Sequence, residues 1–102
     1  MGKYVFAYTG GSMAETPEAQ EAAMQAWGAW FGTLGSAVIE PGNPFGPSTA
    51  VTGNGKTGAT KTGLSGYSVV EADSLEIAAK LADGCPVLDG GGAVEVFEAI
   101  PM

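Results

Sequence analysis

Few residues of this chain can move a proton or hold a metal: three tyrosines, one cysteine and eleven carboxylates, with neither histidine nor arginine among 102 residues. Histidine is the commonest general base and metal ligand near neutral pH, and arginine is shaped for a two-point grip on carboxylate or phosphate. Without them, acid–base work falls to tyrosine hydroxyls and carboxylates. Tyr8 and Tyr67 lie in strand-like runs expected to be neighbours, and Glu40 ends a third run, which makes these three the candidate catalytic groups. Glu71 and Asp73 also stand near a strand end, but Asp73 suits a helix cap, and solvated surface is the ordinary fate of such acids. A single cysteine, Cys85, excludes an internal disulfide and a thiolate cluster, and no metal site or cofactor is expected. Cys85 follows a predicted helix C-terminus, whose negative dipole end raises a thiol pKa, the setting of a buried structural thiol.

Trp27, Trp30 and Phe31 could instead recognise a ligand, because large rings bind apolar or planar molecules with little entropy loss. Phe45, on a proline-rich loop, and Tyr67 are expected to border the same pocket, so Trp27, Trp30, Phe45 and Tyr67 are the candidate ligand-binding residues. Plain core packing is the competing explanation. An indole N–H without an internal partner would favour the pocket. Gly53-Asn54-Gly55-Lys56-Thr57-Gly58 fits the glycine pattern of dinucleotide-binding turns, but the following Ala59 to Gly63 has no apolar period with which to open a helix. The Gly55-Lys56-Thr57 end of a phosphate loop fails similarly, since Ala50 stands where its first glycine belongs.

The elements that must position these residues follow from periodicity and punctuation. Tyr4 to Tyr8 alternates as a strand with apolar residues on both faces, Tyr4, Phe6 and Tyr8 one way, Val5 and Ala7 the other, and Gly10-Gly11-Ser12 breaks it. Thr16 as cap and Pro17 at the first position open a helix over 17–34, with Ala19, Ala23, Ala26, Trp27, Trp30 and Leu34 as its apolar stripe and Gly35 as its stop. A short strand over 37–40 precedes an irregular Pro41 to Pro47 loop. Residues 48–52 form a further strand, and 53–66 a hairpin tip or excursion of unassigned conformation. A strand over 66–72 leads to a capping box of Asp73 and Glu76 and a helix whose face is Leu75, Ala78, Ala79 and Ala82, ended by Gly84 and Pro86. After Gly90-Gly91-Gly92, residues 93–100 alternate as a last strand.

The order strand, helix, two strands, helix, strand predicts one α+β domain over 1–102, ferredoxin-like, with both helices on one face of an antiparallel sheet. Its other face carries apolar residues beyond what a monomer ordinarily leaves bare, which predicts a homodimer paired through the sheet face. The net charge of −7 opposes nucleic acid and anionic membrane surfaces as partners. No run is long enough for a membrane span, and Met1-Gly2-Lys3 leads straight into strand-like sequence, so a soluble, cytoplasmic protein is expected.

Lys3-Tyr4-Val5-Phe6-Ala7-Tyr8, Ala26-Trp27-Gly28-Ala29-Trp30-Phe31, Gly66 to Leu75, and Gly84-Cys85-Pro86 through Val96 together resemble the small YCII-related proteins, including those with an Asp-Gly-Pro-Phe motif. The resemblance implies a dimeric α+β barrel, the topology reached above, and relatives among cofactor-free isomerases and small monooxygenases. A histidine–aspartate pair proposed for some members cannot be carried over to a chain without histidine. The Asp-Gly-Pro-Phe motif is also absent, and Asn43-Pro44-Phe45-Gly46-Pro47 is a different loop. Two functions fit these residues: a dimeric protein that binds a small apolar or aromatic ligand, or a cofactor-independent isomerase or monooxygenase in which Tyr8, Tyr67 or Glu40 moves protons.

Overall fold

Alternation in the first strand, with rings at every second position, sets the layer order of the whole molecule. In the computed structural model, which describes residues 2–11 and 15–102, β1 spans Gly2–Thr9, α1 Pro17–Leu34, β2 Val38–Glu40, β3 Ala50–Val51, β4 Thr57–Gly58, β5 Leu64–Ala72, α2 Leu75–Ala82, α3 Pro86–Asp89 and β6 Ala93–Ala99. A four-stranded antiparallel sheet has the order β2-β5-β1-β6, while β3 and β4 pair only with each other. The class is therefore α+β. Among the described residues no helix is long and apolar enough to cross a membrane. Met1, and Ser12 of the expected break, lie outside the described residues.

Tyr4, Phe6 and Tyr8 of β1 are buried with Val70 and Ala72 of β5, Trp30 of α1, Ala78 and Ala82 of α2, and Cys85 and Val87 beyond it. Val94 and Val96 of β6 pack against that cluster, which places the helices on one face. Register defines the other face. Val5 stands between Val69 and Phe97, Ala7 between Tyr67 and Glu95, and Lys3 between Glu71 and Ala99, while Glu40 of β2 aligns with Val69 across a bulge. An apolar band thus crosses the uncovered face, edged by carboxylates, and Phe97 is 53% exposed on it.

Helix α1 has the predicted bounds: Thr16 Oγ1 accepts from Ala19 N–H at 3.1 Å, Pro17 opens the helix, and Gly35 ends it at φ 59°. Its stripe is shorter than expected. Ala19, Ala23 and Ala26 are exposed, and only Trp30 is buried, with Trp27, Phe31 and Leu34 half-buried. The rings set the distance between helix and sheet, and an alanine methyl cannot reach across it.

The second helix is also corrected in detail. Ser74, not Asp73, caps it, accepting from Ile77 N–H at 3.2 Å, and its inward face is Ala78, Leu81 and Ala82, with Leu75 and Ala79 exposed. The helix ends before Gly84 and Pro86, and Pro86 also opens the one-turn helix α3, because its missing N–H costs nothing at a first helical position.

Trp30→Ala, which empties a core position stacked 6.1 Å from Phe6, should cost about 3–5 kcal/mol in urea unfolding. Thr16→Ala should cost about 1 kcal/mol. Equal losses would contradict the placement of the core under the C-terminal half of α1.

Candidate functional site

Trp27 and Trp30, three residues apart, are neighbours on the surface of α1, yet their indoles do different things. Trp30 is 6% exposed, and its N–H donates to the Leu81 carbonyl at 3.2 Å, joining α1 to α2. Trp27 meets Tyr8 edge-on at 5.0 Å, Trp30 at 5.7 Å and Phe31 at 5.9 Å. No described residue accepts a hydrogen bond from its N–H.

Trp27 lines a cavity of about 420 Å³, shared with Ala23, Met24 and Phe31 of α1, Tyr8 of β1, Pro41 to Pro44, Ser65 to Tyr67 of β5, and Val87 of α3. The volume follows from the sequence of α1, since bulky rings hold the helix off the sheet while Ala23 leaves the space between unfilled. None of these lining residues is charged. The opposite wall is a loop held by backbone: Phe45 N–H donates to Ser65 O at 2.9 Å, Tyr67 N–H donates to Asn43 O at 3.3 Å, and Pro44 bridges Gly66. Gly42 lets it approach. Its φ is +75°, and a Cβ there would fall 1.8 Å from the Tyr67 carbonyl oxygen.

Beneath the cavity runs a buried relay, in which Tyr8 Oη donates to Ser68 Oγ at 2.7 Å and Ser68 donates to the Pro41 carbonyl at 2.5 Å. Both protons are committed to protein acceptors. Burial pushes the Tyr8 phenol up to about 12. At neutral pH it is a fixed, neutral wall.

The other sequence candidates are distributed differently. Tyr67 and Tyr8 are on adjacent strands as expected, but β5 alternates so that Ser68 points to the core and Tyr67 to the uncovered face. There Tyr67 Oη donates to Glu40 Oε1 at 2.7 Å, and that bond, ahead of desolvation, holds its proton and raises its pKa. Phe45 stacks on the Tyr67 ring at 5.7 Å. Of the four expected ligand-binding residues, Trp27 and Tyr67 border the cavity, whereas Trp30 belongs to the core and Phe45 to the uncovered face. Cys85 is 1% exposed, and burial pushes its thiol up to about 11. Among the described residues no three His, Cys, Asp or Glu side chains gather as a metal site.

Ser68 and Gly42 are the site residues that sequence inspection missed. Ser68 had a signal, being a polar residue at an inward position of an otherwise apolar strand, where a buried hydroxyl needs partners. Gly42 had none, because its role depends on a carbonyl 25 residues away.

Two outcomes follow from this geometry. Gly42→Ala should cost more than about 2 kcal/mol, against roughly 0.5 kcal/mol or less for Gly46→Ala, whose Cβ would meet nothing within 4 Å. Similar losses in denaturant titrations would contradict the close approach of the loop. Protonated Cys85 and Tyr8 are favoured in the folded state, so their contributions are complete below about pH 9 and are lost as pH rises through about 11 and 12. Cys85→Ala should flatten the lower part of that decline in unfolding free energy against pH. An unchanged profile would contradict the buried thiol.

No protein-family model matches the chain, and comparison with curated proteins finds no match.

Proposed function

We propose that the chain is a homodimeric small-molecule-binding protein of the YCII-related kind, whose cavity takes a flat, uncharged, mostly apolar ligand carrying one hydrogen-bond acceptor. The observation that carries this reading is Trp27, which lines an uncharged cavity of about 420 Å³ and whose indole N–H has no acceptor among the described residues. Ligand sites are typically of this size, and a few polar groups on apolar walls orient what binds. A charged ligand would lose its hydration with no counter-charge to replace it.

Further support comes from topology. With the β3–β4 excursion set aside, the element order and the sheet order β2-β5-β1-β6 agree with a ferredoxin-like unit. The apolar band of Val5, Val69 and Phe97 on the helix-free face favours pairing of two such sheets. The isomerase or monooxygenase alternative gains less. Of its three candidate groups only Tyr8 has its hydroxyl on the cavity side of the sheet, since Tyr67 bonds Glu40 on the uncovered face, and the Tyr8 and Tyr67 hydroxyls each already donate within the protein.

Quinoline and naphthalene differ by a ring nitrogen acceptor and little in shape, so together they test the proposal. Quinoline should raise the melting temperature more than naphthalene and bind about tenfold more tightly, and Trp27→Phe should remove the difference. Failure of both compounds to bind, or a preference that survives Trp27→Phe, would overturn it.

A further inference from the structure

The β3–β4 hairpin is an arm whose visible hydrogen bonds are internal. Thr52 N–H donates to Lys56 O at 2.9 Å, Thr49 Oγ1 donates to Gly58 O at 3.2 Å, and the Ser48 and Thr60 hydroxyls lie 2.8 Å apart. Every residue from 51 to 65 is exposed, including Val51 at 69%. A lone two-stranded hairpin is at best marginally stable in water, so this arm lacks the surface that would hold it. The space around it is open: a Cβ added at Gly53, Gly55 or Gly58 would meet nothing within 4 Å.

Charge is divided along the same line. Residues 41–70 contain Lys56 and Lys61 and no acid, while the remainder contains all eleven acids and the other two lysines. At the root of the arm, Phe45 and Leu64 are 47% and 40% exposed and continue the uncovered face, whose apolar band is edged by Glu40, Glu71 and Glu95.

From the exposed arm and this charge division we infer that the hairpin is a clasp for a second copy of the chain. In a face-to-face pair it reaches past its own sheet and sets Lys56 and Lys61 against the acidic body of the other subunit. The inference rests on the homodimer proposed above and adds to it a second, electrostatic contact. It explains how two faces edged by carboxylates can approach, since each arm brings the positive charge that its own face lacks.

Sedimentation equilibrium of the full chain, of K56E/K61E, of K56R/K61R and of Phe97→Glu tests the clasp and the paired faces separately. The arm lysines are exposed, so reversing them should leave the circular dichroism spectrum intact. It should weaken self-association about tenfold or more at low salt, whereas K56R/K61R should associate like the parent. Raising ionic strength from about 0.01 to 1 M, which shortens the screening length from about 30 to 3 Å, should weaken the parent more than K56E/K61E. A dimer lost in Phe97→Glu but unchanged in K56E/K61E overturns the clasp and leaves the paired faces standing. A dimer unchanged in both variants, or a monomeric parent, overturns both.

Discussion

The gap between α1 and the sheet is set by rings, and the rest of the structure accommodates it. Phe6 and Trp30 stack across the layers, Trp27 stands edge-on to Tyr8, and Phe31 closes the row on the helix side. A wedge of this thickness cannot be matched by alanine, so the same helix is tightly packed at its C-terminal half and stands clear of the sheet at its N-terminal half. The cavity is the direct result. Burial of apolar area stabilises the wedge, and the unfilled volume beside it leaves a neutral, apolar space lined by Trp27.

Fixing the loop that closes this space takes backbone more than side chains. Gly42 permits contact with the β5 carbonyl, and the Tyr8–Ser68–Pro41 relay joins loop, core strand and cavity floor through two buried hydroxyls. Removing one member would leave a buried polar group without its partner, a loss larger than one net hydrogen bond. The same strand, turned by one residue, presents Tyr67 and Val69 to the uncovered face. The cavity and the uncovered face therefore share β5, one on each side.

Much of the fold was legible because punctuation and period agreed. Thr16, Pro17 and Gly35 bound α1, composition and alternation placed β1, β5 and β6, and the period of β1 grouped Tyr4, Phe6 and Tyr8 on one face. What remained hidden depended on distances that spacing does not encode. Helical period put Ala23 and Trp27 on one stripe without showing that one would reach the sheet and the other would not. Two adjacent tryptophans looked equivalent until the Leu81 carbonyl was found beside only one. Its place after Pro44 puts Phe45 at the pocket by sequence, but the bridge of Pro44 to Gly66 turns it to the far side. The strand expected over 48–52 is present as the shorter β3, and the expected hairpin tip leads into β4, but with no apolar period the sequence did not show that the pair stands apart from the main sheet.

The difference between the two indoles is open to direct measurement by hydrogen exchange of the tryptophan side-chain N–H signals in proton–nitrogen NMR spectra. Trp30, donating to Leu81 inside the core, should exchange slowly and only through opening of the α1–α2 contact. Trp27 should exchange near the rate of a solvent-exposed indole. Equal, strong protection of both would mean that Trp27 already has an internal acceptor, and the proposed ligand would lose the donor meant to orient it.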